Sequence, residues 1–282
     1  MKPSYSKASS MTIIVVIYGM AIAIGIITFD KASASMPEIG SLLLADVVAT
    51  VFVWLMGLVY RNVSVYDPYW SVAPPVFFTA WALLKGCWTL PVILLLIAVW
   101  YWGVRLTGNW AYTFKGLDHE DWRYTRYRKT QPLFLFHITN FFGLNMMPTL
   151  LVFACMLPGF GLFKAESVNW LTWLGFAMCL ASATIQLIAD TQIHRFRDLH
   201  PHRFCNVGLW KHGRHPNYFG EIMMWWGVWV MYASLFGIDW LLMAPVAMTC
   251  LFLFISIPMM ERRQLENKPG YAEYRKKTRI LI

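Results

Sequence analysis

Along the chain, long apolar runs alternate with short segments rich in charged and aromatic residues. The apolar runs cover 11–29, 41–60, 70–84, 90–107, 134–157, 168–189, 219–236 and 238–258. Several hold the roughly 20 apolar residues that an α-helix needs to cross the hydrocarbon of a bilayer. The run at 70–84 is short and carries Pro74 and Pro75, so its helix is expected to start inside the polar motif before it. The pattern predicts an all-α, polytopic integral membrane protein with a bundle of eight spans, seven being the alternative. No linker, repeat or low-complexity stretch interrupts the pattern, which predicts a single domain over 1–282.

Composition agrees with this reading. Hydrophobic residues make up 58% of the 282 and charged ones only 14%, against about 25% charged in soluble domains. The placement of Lys and Arg adds an orientation. If the runs alternate across the bilayer, every basic residue except Lys31, Lys85 and Lys164 falls on one side. That asymmetry places both termini and the polar segments in the cytoplasm. At the N-terminus, Lys2, Lys7, an apolar run and the "ASA" at 32–34 resemble a secretory signal. The run is longer than a signal's apolar core and Asp30-Lys31 breaks the approach to the cleavage motif, so a retained first helix is expected. The net charge of +9 suits anionic lipid headgroups; spread over membrane-adjacent loops, it does not form a nucleic-acid surface.

The connections expected outside, such as 30–40, 85–89 and 158–167, are plain. The cytoplasmic segments 61–71, 105–131, 190–221 and 261–282 are not, and side chains in excess of what a connector needs point to function. Metal chemistry is disfavoured. Of seven histidines only His212 and His215 approach the spacing of a di-iron box, there is no His-His pair, and no two-His-plus-carboxylate zinc pattern occurs. The five cysteines are scattered without a CxxC and read as packing residues. No GxGxxG occurs, so a dinucleotide would have to be held by side chains from several loops.

Four motifs remain. In "DTQIHRFR", Asp190, His194 and Arg197 fall at i, i+4 and i+7 on one helical face. The stripe is either an interfacial cap with snorkelling arginines or an inward site, with Arg197 offering its planar fork to phosphate. In "NVSVYDPYWS", Asp67 precedes Pro68 amid tyrosines and a tryptophan. It suits a helix N-cap and equally a carboxyl whose neutral form is favoured by apolar surroundings. In "WYWGVRLTGNWAY", Tyr101, Arg105 and Asn109 share a face, and an inward Arg in a span calls for an anionic partner. In "GLWKHGRHPNYFGE", Asn217 and Glu221 lie at i, i+4 beside Arg214, His215 and Tyr218 at the start of an apolar run. The tail opens with Glu261, Arg262 and Arg263 and continues as a basic amphipathic segment suited to a membrane surface.

Taken together, "GLWKHGRHPNYFGE", the upstream "DTQIHRFR" and the downstream "ERRQLENKPGYAEYRKKT" resemble the steroid 5α-reductase family, especially its bacterial members, which share an early "YDPYW"-like stretch. The resemblance covers roughly 60–282 and leaves 11–29 as an added helix. The "HPNYFGE" box also recurs in sterol C14 and C24 reductases, and a shorter form in isoprenylcysteine carboxyl methyltransferases. The resemblance implies a monomeric bacterial inner-membrane enzyme using NADPH to reduce the C4=C5 bond of a 3-oxo-Δ4-steroid or similar enone lipid that enters from the bilayer. It implies that Asp67 is the catalytic acid, with its partner tyrosine at Tyr101 or at the position of Trp102. The cofactor pattern carries over to Asp190, Arg197, Arg203, Asn217 and Glu221, while the family's tail histidine and tyrosine fall on Met260 and Gln264. Arg105, Asn109, His194, Arg214, His215, Tyr218 and Arg262 complete the expected cofactor-binding set.

In the implied mechanism Asp67, held by Tyr101, donates a hydrogen bond to the ketone as the enolate develops, and NADPH supplies the hydride. Asn217, Tyr218 and Glu221 orient the nicotinamide end, and Arg197, Arg203 and Arg214 meet the phosphates. The rival enzyme reading is S-adenosylmethionine-dependent methylation of a prenylated or lipid carboxylate. The basic cluster between Arg195 and Arg214 fits the phosphate-rich ligand better. A lipid-binding scaffold or transporter would not need Asp67, Asp190 and Glu221 beside that cluster.

Overall fold

A computed structural model describes residues 5–282. The described chain is helical apart from one isolated bridge between Gly213 and Arg279. The helices are α1 (Lys7–Ser33), α2 (Glu38–Val59), α3 (Tyr69–Lys85), α4 (Leu90–Thr113), α5 (Trp122–Thr130) and α6 (Leu133–Ile138). They continue with α7 (Met147–Gly161), α8 (Trp170–Leu199), α9 (Pro216–Phe236), α10 (Met243–Leu251), α11 (Ile257–Asn267) and α12 (Tyr271–Lys277).

Among the described residues six stretches are long and apolar enough to cross a membrane: Lys7–Ser33, Glu38–Val59, Leu90–Thr113, Leu133–Lys164, Trp170–Leu199 and Trp240–Asn267. They mark the chain as an integral membrane protein. The other two expected spans are also helices. With 17 residues, α3 is shorter than the roughly 20 that span hydrocarbon. Helix α9 has 21 residues, and Asn217, Glu221 and its tryptophans lower its hydropathy. As its two prolines suggested, α3 starts within the polar motif, directly after Asp67-Pro68.

Local chemistry sets the helix ends. Asn169 starts α8 through a reciprocal cap with Thr172. Pro216 occupies the first turn of α9, where a missing N–H leaves no bond unmade. Two spans contain π-helical turns, Thr139–Met146 between α6 and α7 and Phe252–Ser256 between α10 and α11. A π turn shifts backbone pairing by one residue, and side chains meet the carbonyls: Asn145 Nδ2 donates to Asn140 O at 2.7 Å and Thr149 Oγ1 to Asn145 O at 3.0 Å.

The chain resolves into two compact units, Met1–Pro74 with Leu106–Phe153, and Pro75–Arg105 with Ala154–Ile282. The boundary falls inside α3, α4 and α7, so no change of composition announces it. In the first unit α1 packs on α2, and Val63, Tyr124 and Phe136 form a small core under Tyr127 and Leu144. In the second unit α8 and α9 form the most extensive helix pair. Their backbones approach through glycine. A Cβ on Gly227 would lie 2.6 Å from Cys179 Sγ and 2.8 Å from Gly175 O, and one on Gly220 would lie 2.4 Å from Gln186 Cγ. Small residues at a membrane helix crossing permit this close packing, and Gly220 lets Gln186 lie against α9.

Candidate active site

In the first unit the site is built around the turn at 62–67. Asn62 caps the short 3-10 turn Val63–Val65 by accepting from Ser64 N at 2.9 Å. Its amide donates to Leu117 O at 2.7 Å and His119 O at 3.0 Å. Glu120 accepts from Val63 N at 3.0 Å, and Ser64 Oγ accepts from Asp121 N at 3.1 Å. These bonds tie the 114–121 loop to the turn and fix the start of α5. From α5, the buried Tyr124 donates its hydroxyl hydrogen to Asp67 Oδ1. Burial pushes the Asp67 carboxyl up to about 6, against the pull of the Arg123 guanidinium and of the hydrogen bonds from Tyr124 and Ser64. The Tyr124 hydroxyl is held well above its ordinary range, chiefly by burial and then by the Asp67 charge. The outcome is a part-buried carboxyl that titrates near neutrality beside a neutral phenol.

The tyrosine at Asp67 is therefore Tyr124, where Tyr101 was expected. Tyr101 lies on α4 in the second unit and pairs with Thr184 Oγ1 at 3.1 Å. Trp102, the other candidate, is fully buried and bonds a different carboxylate, Glu221.

The second unit holds a closed polar network on α4, α8 and α9. Glu221 Oε2 accepts from Trp102 Nε1 at 2.9 Å and from Gln186 Nε2 at 3.1 Å. Glu221 Oε1 accepts from Trp225 Nε1 at 3.0 Å. The Gln186 oxygen accepts from Arg105 Nη2, and Arg105 Nη1 donates to Asp190 Oδ2 at 3.1 Å. All six side chains are buried. Arg105 thus has the anionic partner that its depth in a span required, and Asp190 and Glu221 join through Gln186. Four buried polar atoms of this unit have no protein partner: Arg105 Nε and Asn217 Oδ1, with Thr89 Oγ1 and Trp229 Nε1. Asn217 stands in the first turn of α9, one turn before Glu221.

The remaining expected cofactor residues separate into two groups. His194 is half-buried on α8, and Arg197 and Arg203 are exposed. Tyr218 stacks on His215, ring centroids 5.3 Å apart, and meets Phe252 at a tilt, centroids 4.9 Å apart. Arg262 is exposed and pairs with Glu266 at 3.1 Å. Asn109 belongs to the first unit's share of α4. Arg214 and His215 are held elsewhere. Arg214 Nε meets Glu261 Oε1 at 2.6 Å, His215 Nε2 lies 3.4 Å from the same oxygen, and Arg275 Nε meets Glu261 Oε2 at 2.8 Å. Arg214 Nη1 also donates to Arg275 O at 2.8 Å and to Thr278 O. Backbone bonds from Arg214 N to Arg279 O at 2.9 Å and from His215 N to Ile280 O at 3.1 Å complete the attachment. These two basic residues dock the C-terminal tail.

Sequence reasoning passed over Tyr124, Gln186 and Trp225, and read Glu261 only as the start of the basic tail. Gln186 had a signal, being an amide inside an apolar run four residues before Asp190. Tyr124, in a basic nonapeptide 57 residues from Asp67, had none. Among the described residues no group of three or more His, Cys, Asp or Glu is arranged to hold a metal ion.

Comparison with known proteins adds a family. The chain is similar to the uncharacterized protein C594.04c of Schizosaccharomyces pombe, at 21% identity over 272 residues, covering 86% of this chain and 78% of that one. No solved structure matches the chain. Residues 53–278, which carry Asp67, Tyr124 and the whole α4–α8–α9 network, match the family described as protein of unknown function (DUF1295). The chain belongs to that family, which includes steroid 5α-reductase-like proteins.

Proposed function

We propose that the protein is an NADPH-dependent reductase of the carbon–carbon double bond of a membrane-borne enone, such as a 3-oxo-Δ4-steroid. The observation that carries the reading is Asp67, a carboxyl pushed up to about 6 and held by the Tyr124 hydroxyl. A carboxyl with a midpoint near 6 keeps its proton in roughly a tenth of molecules at pH 7 and in half of them at pH 6, and that form can donate to a ketone oxygen and stabilise the charge that grows there. Tyr124 orients the carboxyl and, by hydrogen-bonding its ionised form, keeps it from rising further. A methyltransferase acting on a lipid carboxylate gains nothing from a second carboxyl at its acceptor, which disfavours that alternative.

NADPH, when bound, supplies the hydride. The residues of the second unit suit such a dinucleotide. Arg197 and Arg203 are exposed cations for its phosphates. The carboxamide oxygen of Asn217, buried without a protein partner, suits an amide N–H such as that of a nicotinamide. Glu221, fixed by three donors, and Asp190, fixed by Arg105, make the α8–α9 frame rigid behind Asn217 and Tyr218. Arg214 and His215 serve this frame indirectly, by holding the tail against the segment before α9. The basic segments are assigned to the cytoplasm, where the nucleotide is, and the substrate to the bilayer.

The test is enone turnover by purified protein in nanodiscs with NADPH. Asp67→Ala, which removes the donor altogether, should lower turnover by about 10²–10³, the usual effect of deleting one such donor, while NADPH affinity stays at the wild-type value. Full turnover in Asp67→Ala rules out the role given to this carboxyl.

A further inference from the structure

The first unit contains a second carboxyl for which the proposed reaction has no use so far. Asp46 sits two turns inside the membrane-spanning α2 and is buried. An ionisable residue at such a depth is costly and as a rule functional. Its side chain ends a file of buried hydroxyl groups. Tyr69 OH lies 2.8 Å from Asp46 Oδ1. The Thr50 side chain is the next polar neighbour of the Tyr69 hydroxyl, Thr50 Oγ1 lies 2.9 Å from Thr149 Oγ1, and Thr149 Oγ1 lies 2.7 Å from Tyr66 OH. Tyr66, Tyr69, Thr50 and Thr149 are all buried. The file therefore runs from a carboxyl in α2 to the tyrosine that directly precedes Asp67.

We propose that Asp46 is a proton store that exchanges with Tyr66 through the hydroxyls of Tyr69, Thr50 and Thr149. Each of these groups can accept one hydrogen bond while donating another, so the file can be polarised in either direction. With Asp46 protonated, hydrogen bonds run Asp46 to Tyr69 to Thr50 to Thr149 to Tyr66. When Tyr66 gives up its proton, to the enolate carbon left by hydride transfer or, without substrate, to water, it takes one from Thr149, Thr149 from Thr50, Thr50 from Tyr69, and Tyr69 from Asp46. The carboxyl ends as carboxylate with the Tyr69 hydroxyl donating to it. One O–H bond breaks and one forms at each step, and no electrons change hands. Thr149 has a second acceptor in Asn145 O at 3.0 Å, which holds its hydrogen while the file is polarised toward it. The purpose of the store rests on the reductase reading: enone reduction by NADPH consumes one proton per turnover, and the file delivers one to Tyr66, the residue that precedes the catalytic acid in the chain.

The test transfers full-length protein in lipid nanodiscs from H2O to D2O and follows its infrared carbonyl bands. The protonated Asp46 band is assigned by its loss in Asp46→Asn, and by carboxyl-13C aspartate labelling if that variant fails to fold. Thr50→Val and Thr149→Val each remove one hydroxyl at nearly constant volume. Each should slow the deuterium shift of the band at least about tenfold, because exchange must then wait for packed helices to open locally. Thr149→Ser restores the hydroxyl and should restore the wild-type rate. Thr79→Val, whose hydroxyl lies outside the file, should leave the rate unchanged. Wild-type exchange in both valine variants overturns the proposal, as does slow exchange in Thr149→Ser or the lack of a protonated Asp46 band. Exchange is read without substrate or NADPH, so a protein with the predicted exchange and no enone turnover would defeat the reductase reading and leave the relay standing.

Discussion

Replacing Glu221 gives a graded test of the network in the second unit. The carboxylate accepts three hydrogen bonds, from Trp102 and Gln186 at Oε2 and from Trp225 at Oε1. Glu221→Ala strands all three donors in a buried site. In a membrane helix each such bond contributes about 0.6 kcal/mol on average and up to about 1.7, so the loss is about 2–5 kcal/mol before any cavity is counted. Glu221→Gln keeps the shape but has one acceptor oxygen. With that oxygen at the Oε2 position, Trp102 and Gln186 stay satisfied and the new NH2 opposes the Trp225 indole. One bond is lost, about 0.6–1.7 kcal/mol. The reverse orientation strands two donors and is disfavoured. Equilibrium unfolding in mixed detergent micelles, followed by helix content, should rank wild type above Glu221→Gln above Glu221→Ala, with costs in a ratio near one to three. Adding Trp225→Phe to Glu221→Gln removes the opposed donor, so the double variant should lose less than the two singles together. If Glu221→Gln costs as much as Glu221→Ala, attraction of the charge to Arg105 dominates and the donor count is irrelevant. If neither costs more than about 0.5 kcal/mol, the size of an ordinary surface change, the network does not hold the helices together.

The Asp67 carboxyl should titrate near pH 6 by infrared or 13C NMR, and Tyr124→Phe or Arg123→Gln should raise that midpoint, since each removes a group that favours the ionised form. Because the folded value lies above the unfolded one of about 3.9, this group's contribution to stability is complete below about pH 4 and is lost as pH rises through about 6; Asp67→Asn should remove that slope from stability-against-pH curves. Gly227→Ala forces a Cβ to within 2.6 Å of Cys179 Sγ and should cost about 1–3 kcal/mol in the same unfolding assay, whereas Gly19→Ala meets nothing within 4 Å and should be close to neutral. Glu261→Ala leaves the Arg214 guanidinium buried without its carboxylate, a loss of about 3–5 kcal/mol when one partner of a buried pair is removed. In limited trypsin digestion its tail should be cut at Lys276 and Lys277 well before that of the wild type.

All eight apolar runs in the sequence are helices, because the length of an apolar run is a local property that one pass along the chain can read. Side-chain partners are not local. Asp67 and Glu221 were legible as unusual carboxylates, yet their partners Tyr124 and Trp102 lie 57 and 119 residues away. A face of Tyr101, Arg105 and Asn109 was legible from helical spacing, and Arg105 does find an acid in Asp190. Tyr101 does not share that fate, since its neighbour Trp102 is the residue that turns into the network. Arg214 and His215 looked like ligand contacts because a basic pair before a helix suits phosphate. Their commitment to Glu261 depends on how the tail folds back, which no spacing encodes. The π turn at Thr139–Met146 was equally hidden, since 134–157 reads as one uninterrupted helix.

The central claim is that the polar residues of α8 and α9 serve a phosphate-rich dinucleotide. Thermal unfolding of the purified protein in detergent, with and without NADPH, tests it most directly, because a ligand that binds the folded state raises its stability by mass action. NADPH at about 100 times its dissociation constant should add about 2.7 kcal/mol, raising the midpoint, and Asn217→Leu and Arg197→Ala should weaken that effect. A midpoint raised by S-adenosylmethionine and unmoved by NADPH would contradict the account.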